Sequence, residues 1–247
     1  MNQGSDPEIS VIVPVRNEAG NIGTLIDEIV TALNTLGAFE IIYVDDGSSD
    51  ETHLRLRECM AREKRLRVFR HGTSCGQSRA IRTGALAARG RIIVTLDGDC
   101  QNNPADIPAL VGRLLAKSPA GLGMAHGRRQ QRRDTFIRRL SSKVGNKVRG
   151  FLLHDSAPDS GCGIKAIWRE LYLRLPFFDH MHRFMPALVR REGAEVEFLA
   201  VDHRPRMKGR SNYGINNRLW VGITDILGVM WLNRRIKKPA DMREEKL

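Results

Sequence analysis

The sequence predicts an α/β fold with a mostly parallel sheet flanked by helices, on three observations. Short apolar runs bounded by turn residues read as strands buried on both faces, the kind found in parallel sheets. Segments with helical apolar spacing separate these runs, which is the alternation expected of a wound sheet. Acidic groups stand where two of the runs end, at Asp45-Asp46-Gly47-Ser48 and at Asp97-Gly98-Asp99. Asp-Gly alone is a common turn sequence. Two such motifs in one series of strands and helices mark a site, because ligands of open α/β sheets bind at the carboxyl ends of strands.

The elements follow in order. Ile9–Pro14 reads as the first strand, and 21–36 as a helix whose Ile22, Leu25, Ile26, Ile29, Val30 and Leu33 recur at helical spacing. Phe39–Val44 is the second strand, followed by a helix from about Asp50 to Glu63 and a short strand Leu66–Phe69. A helix over 76–88 leads to the strand Ile92–Leu96, and Asn103-Pro104 opens the next helix with proline in its first turn. Right-handed crossovers would bring the loops after the first, second and fourth strands to one edge. Those loops carry Arg16-Asn17-Glu18, Asp45-Asp46 and Asp97-Gly98-Asp99. Beyond residue 120, Leu122–His126 reads as a further strand, 135–153 as a basic helix and Glu195–Val201 as a late strand. Residues 219–232 read as an apolar helix interrupted by glycines, with the basic cluster Arg234-Arg235-Ile236-Lys237-Lys238 behind it.

Composition narrows the function. The 247 residues suffice for one large α/β domain with a C-terminal elaboration. The four cysteines, Cys59, Cys75, Cys100 and Cys162, form no CxxC pair, which argues against a zinc site or disulfide framework and for a reducing cytosolic compartment. The start lacks the apolar core of a secretory signal, and no apolar stretch approaches the ~20 residues needed to span a bilayer. The net charge of +12 lies wholly in the second half: residues 1–120 hold 14 Lys+Arg against 15 Asp+Glu, residues 121–247 hold 26 against 13. That half is expected to meet something anionic: phosphates, an acidic membrane face or nucleic acid. Nucleic acid is the less favoured partner, since the basic residues are not interleaved with aromatics and no RNP or zinc-finger pattern occurs.

An Asp-x-Asp at a strand end suits a hard divalent ion that keeps sites open for the oxygens of a diphosphate. Mg²⁺ or Mn²⁺ held by Asp97 and Asp99, with Gln101 two residues on, would neutralise a departing nucleotide diphosphate. No GxGxxG follows the first strand, where Pro14-Val15-Arg16-Asn17-Glu18 stands instead, and no Walker A sequence occurs.

Taken together, VIVPVRNE (11–18), VDDGS (44–48), the Gly76, Ala80, Gly84 series, LDGDCQNNP (96–104), Gly127-Arg128, Arg138-Arg139, Asp159-Ser160-Gly161-Cys162 and RMKGRSNY (206–213) resemble family 2 glycosyltransferases. The likeness is to the dolichyl/polyprenyl-phosphate branch and runs from about residue 9 to 214. It implies a GT-A type, Rossmann-like catalytic domain over 1–214, with a nucleotide-binding half at about 9–120 and an acceptor half at about 121–214. Residues 215–247 would then form amphipathic helices at a membrane interface. The implied reaction is inverting, metal-dependent transfer of a sugar from a UDP- or GDP-sugar to a polyprenyl phosphate.

The resemblance also implies roles. Pro14, Arg16, Glu18, Asp45, Asp46, Gly76, Gln77, Asp97, Gly98 and Arg206 would hold the nucleotide-sugar; Asp97, Asp99 and Gln101 the metal. Arg128, Arg138 and Arg139 would receive the acceptor phosphate. Asp99, Arg128, Arg206 and Ser211 would act in catalysis, the last two from a loop that closes over the diphosphate. A lipid phosphate is already anionic, so the obstacle is its repulsion from the donor diphosphate, which arginines relieve by bidentate pairing.

Four positions depart from the family pattern. Arg16 replaces a Tyr and leaves the donor base open; Gly98 replaces the commoner Ala, a change expected to be harmless; Cys162 stands in place of an aromatic and Asn212 in place of Lys. Trp220 and Trp231 read as membrane-interface residues, as ordinary core residues, or as contacts of a homodimer or higher homo-oligomer. The expected location is cytoplasmic, peripheral on the inner face of the membrane, with an anionic lipid surface as partner. The competing readings are a family 2 enzyme acting on a glycan and a non-catalytic membrane or nucleic-acid-binding protein.

Overall fold

A computed structural model describes residues 7–117, 121–129, 157–205 and 218–237, with 150, 152, 153 and 155 between them; for 218–221 the backbone alone is described. Of the expected 135–153 helix only 150, 152 and 153 are described, and they are helical; the rest of it, with Arg138, Arg139, Arg206 and Ser211, lies outside the described residues.

One seven-stranded sheet organises the chain. Its strands are β1 (Ile9–Val15), β2 (Phe39–Asp45), β3 (Leu66–Arg70), β4 (Ile92–Thr95), β5 (Leu122–Arg129), β6 (Lys165–Trp168) and β7 (Glu195–Val201). They lie in the order β3-β2-β1-β4-β6-β5-β7. β1, β2, β3 and β4 pair in parallel, as do β5 and β7, whereas β6 runs antiparallel to both β4 and β5. The flanking helices are α1 (Ile22–Leu33), α2 (Thr52–Arg62), α3 (Gln77–Ala87), α4 (Ile107–Leu115), α5 (Arg169–Arg174), α6 (Met185–Arg191) and α7 (Arg218–Arg235).

The parallel strands carry the apolar runs for a plain reason: β1, β2 and β4 are buried at every position, with helices covering both faces. Of the stripe read from its spacing, helix α1 buries Ile22, Leu25, Ile26, Ile29 and Leu33, while Val30 is half-buried at the edge of the core. The Asn103-Pro104 start takes the form of a 3₁₀ turn, Pro104–Asp106, in which Asn103 Oδ1 accepts the Ala105 N–H at 3.1 Å before α4 begins.

Pro14 decides where the sheet opens. In a parallel strand, residues two apart bond the same neighbour, and Ile12 accepts from Leu96 N at 3.1 Å while Val15 accepts from Asp46 N at 2.9 Å. Pro14 therefore faces the β4 side, where pairing with β1 has already ended at Ile12 and Thr95. Its missing N–H breaks no ladder bond there. The strands part at that point, and the β4 loop turns into the gap.

Candidate active site

Four loops at the carboxyl edge are stitched into one wall. Asn17, in the left-handed region at φ 57°, donates its N–H to Ser48 Oγ at 3.0 Å and accepts the Ser49 N–H on Oδ1 at 2.9 Å. Glu18 N donates to Thr52 Oγ1 at 2.9 Å, and the half-buried Glu18 carboxylate accepts from Asn21 Nδ2 at 2.6 Å. Arg16, at the head of this loop, is exposed.

Asp45 is fully buried; its Oδ1 accepts the Ser48 N–H at 2.9 Å and Arg70 Nε lies 3.3 Å from its Oδ2. Asp46 binds the β3–α3 loop. Its Oδ1 accepts from Cys75 N at 2.8 Å and meets His71 Nδ1 at 2.7 Å, and its Oδ2 accepts from Ser74 Oγ at 2.7 Å and Gly76 N at 2.9 Å. Burial opposes the Asp46 charge, but these donors outweigh it and hold the carboxyl below its usual value. Among the described residues, Asp46, His71 and Cys75 also bring metal-ligating atoms within 4.8 Å of one another. With two donors already on each oxygen, this carboxylate is spent on the loop rather than aimed at a cation.

The loop after β4 holds the second acidic motif. Gln77 Nε2, at the start of α3, donates to Asp97 Oδ1 at 2.8 Å and joins the third loop to the fourth. Asp99 Oδ1 accepts the Gln101 N–H at 3.2 Å, and Cys100 between them has φ 59°. Gly98 fits under β1: a Cβ there would stand 2.4 Å from Val15 Cγ1 and 3.2 Å from Pro14 O. An alanine at this position would press its methyl group against the Val15 side chain.

Asp97 is held from the other side by Gly163. A Cβ on Gly163 would lie 2.2 Å from Asp97 Oδ2 and 2.7 Å from Asn102 Oδ1, so only a bare Cα admits both side chains. Burial pushes the Asp97 carboxyl up and the neighbouring Asp99 charge adds to this, while Lys165, Gln77 and Arg129 pull it down. Two carboxylates on one loop, one of them desolvated and raised by the other, are a fit for a divalent cation with oxygen ligands. Asp97, Asp99 and Gln101 are the residues that would hold it.

A cavity of about 300 Å³ opens beside Asp97, lined also by Gln77, Gly161, Gly163, Lys165, His182 and Arg183. Sequence reading missed the last three. Lys165 sits in β6, nearly inaccessible, with Nζ donating to Cys162 O at 2.5 Å, and burial lowers its pKa. His182 lies on the 3₁₀ turn Met181–Arg183; its N–H donates to Ser78 Oγ at 3.3 Å and its Nδ1 lies 2.7 Å from the same oxygen. Ser78 Oγ is thus placed to give its own proton to Nδ1, which leaves Nε2 as the protonated nitrogen. Burial, with Lys165 and Arg183 nearby, holds His182 well below its ordinary value, so the ring is neutral. The one available signal was a lysine inside the apolar run Ile164–Trp168; nothing local marks His182 or Arg183.

The structure separates the two arginines at the end of β5. Arg128 is exposed and does not line the cavity. Its neighbour Arg129 forks onto Asp159, Nε to Oδ2 at 2.7 Å and Nη2 to Oδ1 at 2.6 Å, next to Gly161 on the cavity wall. Burial opposes the Arg129 charge and Asp159 more than offsets it. Cys100 and Cys162 are buried thiols, each pushed up to about 11 by burial, and are packing groups rather than nucleophiles.

Comparison with known proteins fits this geometry. A family model, glycosyl transferase family 2, matches residues 10–175. The chain is 35% identical over 238 residues to a dodecaprenyl-phosphate galacturonate synthase of Rhizobium johnstonii, covering 94% of this chain and 69% of that protein. In fold it is similar to glucosyl-3-phosphoglycerate synthase of Mycobacterium tuberculosis solved with Mn²⁺, UDP-glucose and glycerol 3-phosphate. That likeness has a TM-score of 0.66 and 21% identity, and covers 94% of this chain and 82% of the other. The same enzyme solved with Mg²⁺ and UDP gives a TM-score of 0.66 with 21% identity over 94% of this chain and 81% of that one. The carboxyl-edge acidic site on this mostly parallel sheet, with a family match over two thirds of its length, makes the chain a member of glycosyl transferase family 2 and a glycosyltransferase.

Proposed function

We propose that this glycosyltransferase moves a sugar from a nucleotide-sugar to a polyprenyl phosphate, with inversion, at an anionic membrane surface. The observation that carries the reading is the chemistry of the cavity wall. Asp97 is its one carboxylate among the described lining residues, and the others that titrate are Lys165, Arg183, a neutral His182 and the thiol of Cys162, which burial pushes up to about 11. A sugar hydroxyl needs a base to give up its proton in the transition state. A phosphate monoester is already ionised, and needs cations instead.

In this reading Pro14, Arg16, Glu18 and Asp45 border the nucleoside, and Asp46 serves it by fixing the loop that ends at Gly76 and Gln77. Asp97, Asp99 and Gln101 hold Mg²⁺ or Mn²⁺, which when bound neutralises charge on the leaving diphosphate. Arg183 and Lys165 face the incoming phosphate side of the cavity, and Arg128, Arg138, Arg139, Arg206 and Ser211 are assigned by family resemblance to the acceptor and to closure over the diphosphate. A phosphate oxygen forms the new bond to the anomeric carbon as the bond to the diphosphate oxygen breaks, and this single displacement inverts that centre. The name of the Rhizobium relative supports dodecaprenyl-type lipid phosphates as acceptors and a galacturonate donor as the first to try.

The test is a screen of UDP- and GDP-sugars against undecaprenyl phosphate, dolichyl phosphate and soluble glycans, with Mg²⁺ or Mn²⁺, read as labelled product. Labelled lipid is expected. Transfer to glycans with none to lipid phosphate would overturn the acceptor assignment.

A further inference from the structure

We infer that the outward face of α7 is the surface by which the protein sits on an anionic bilayer, and that this seat is tied mechanically to the cavity. The inference rests on the lipid-phosphate reading above, and adds to it a defined docking element. Ile223, Leu227 and Trp231 are 41%, 60% and 58% exposed, and their four-residue spacing puts them on one face of the helix. The opposite face holds the helix to the protein: Val229 is fully buried, and Ile226 and Met230 pack against the core.

Charge on this face has one sign. The single acid of α7, Asp225, turns inward, with Oδ2 3.2 Å from His180 Nδ1. Arg234 and Arg235 end the helix and Lys237 follows, all three exposed, with Arg235 lying 5.8 Å from the Trp231 ring centre. An apolar ridge that runs into a basic cluster is the pattern of a helix lying in a lipid interface beside anionic headgroups. The ridge is about 12 Å long, from eight steps of about 1.5 Å each, and three side chains fall far short of the roughly 800 Å² per partner of a stable protein interface. No helix among the described residues is long and apolar enough to cross a membrane, which leaves the interface as the lipid zone open to α7.

The tie to the cavity runs through two contacts. His180, bound to Asp225, immediately precedes the Met181–Arg183 turn whose His182 and Arg183 line the cavity. Arg191 Nε, at the end of α6, donates to Leu232 O at 3.3 Å. Docking of α7 therefore fixes the cavity at the lipid surface from which an acceptor phosphate would enter.

The full chain is to be sedimented with vesicles of phosphatidylcholine, with and without phosphatidylglycerol. Binding to the anionic vesicles is expected. Leu227→Ser with Trp231→Ser should lower the affinity at least about tenfold, since two interfacial side chains are lost. Arg234→Gln and Arg235→Gln should each lower affinity for the anionic vesicles about fivefold and leave binding to neutral ones unchanged. All of these variants should transfer sugar normally to a short, water-soluble polyprenyl phosphate. Failure of the wild-type chain to bind anionic vesicles, or equal binding by the variants, overturns the inference. So does a concentration-dependent dimer that Trp231→Ser abolishes, which would make the ridge a contact between subunits. No transfer to the soluble acceptor by the wild-type chain would instead refute the catalytic reading, whatever the vesicles show.

Discussion

Gly163→Ala is the sharpest perturbation of the site, because one methyl group meets the acidic motif directly. The new Cβ would stand 2.2 Å from Asp97 Oδ2, 2.4 Å from its Cγ and 2.7 Å from Asn102 Oδ1. Ordinary contact needs more than an ångström of further separation. Gly163 lies just before β6 and is held by Thr95 Oγ1, which donates to its carbonyl at 2.7 Å, so relief falls on the side chains of Asp97 and Asn102, which must move. That movement also strains the 2.8 Å bond from Gln77. Overpacking of this kind costs about 1–3 kcal/mol, which for a chain of this size lowers Tm by roughly 2–12 °C. Activity should suffer more than stability, since displacing a positioning carboxylate by about 1 Å costs on the order of 100-fold in rate. Gly161→Ala is the control: its Cβ would meet the end of the flexible Arg129 side chain at 3.3 Å and Asp159 Oδ1 at an ordinary 3.9 Å. Thermal melts and transfer assays on both variants check the argument. A Gly163→Ala enzyme with wild-type Tm and rate would refute the claim that this glycine seats Asp97.

Three further outcomes follow from the same geometry. Asp159→Asn leaves the partly buried Arg129 guanidinium with half of its fork, and since breaking a fully buried pair costs about 3–5 kcal/mol, a smaller loss is expected here, measurable by urea unfolding. His182 should give stability a slope in mild acid. Its folded pKa lies well below the ordinary 6.5, so the unfolded chain binds the extra proton, and stability should fall as pH drops below about 6.5. Melts between about pH 5 and 8 should show this slope for the wild type and a shallower one for His182→Asn, while an unchanged slope in the variant would assign it elsewhere. Asp99→Ala, or removal of divalent ions with a chelator, should abolish transfer, and activity retained by the variant would refute the metal assignment.

Much of the fold was legible because its signals are local. Runs of Val and Ile between turn residues gave β1 to β4 to within a residue or so at each end, and the stripe of α1 was read residue by residue. β6 was not read. Its four residues, Lys165–Trp168, include a lysine, and an antiparallel insertion between β4 and β5 leaves no mark in sequence spacing. Helices α5 and α6 are six and seven residues long, too short for a periodic pattern to emerge. The acidic motifs stood out as carboxylates at the ends of apolar strands. Asp46, however, was read as a residue facing the nucleotide, and its four hydrogen-bond partners come from residues 71–76, a pairing that only the fold creates.

The sequence by itself determined the parallel half of the sheet, the edge on which the site lies and the identity of the Asp97 and Asp99 motif. Each of these depends on residues close together in the chain, where apolar period and turn chemistry act. The tertiary structure alone decided that Gly98 and Gly163 must be bare, that Arg129 rather than Arg128 forks onto Asp159, and that Lys165, His182 and Arg183 meet Asp97 around one cavity. Those facts depend on distances between atoms far apart in sequence, set by how β6 and the 181–183 turn pack against the parallel part of the sheet, and no spacing along the chain encodes them.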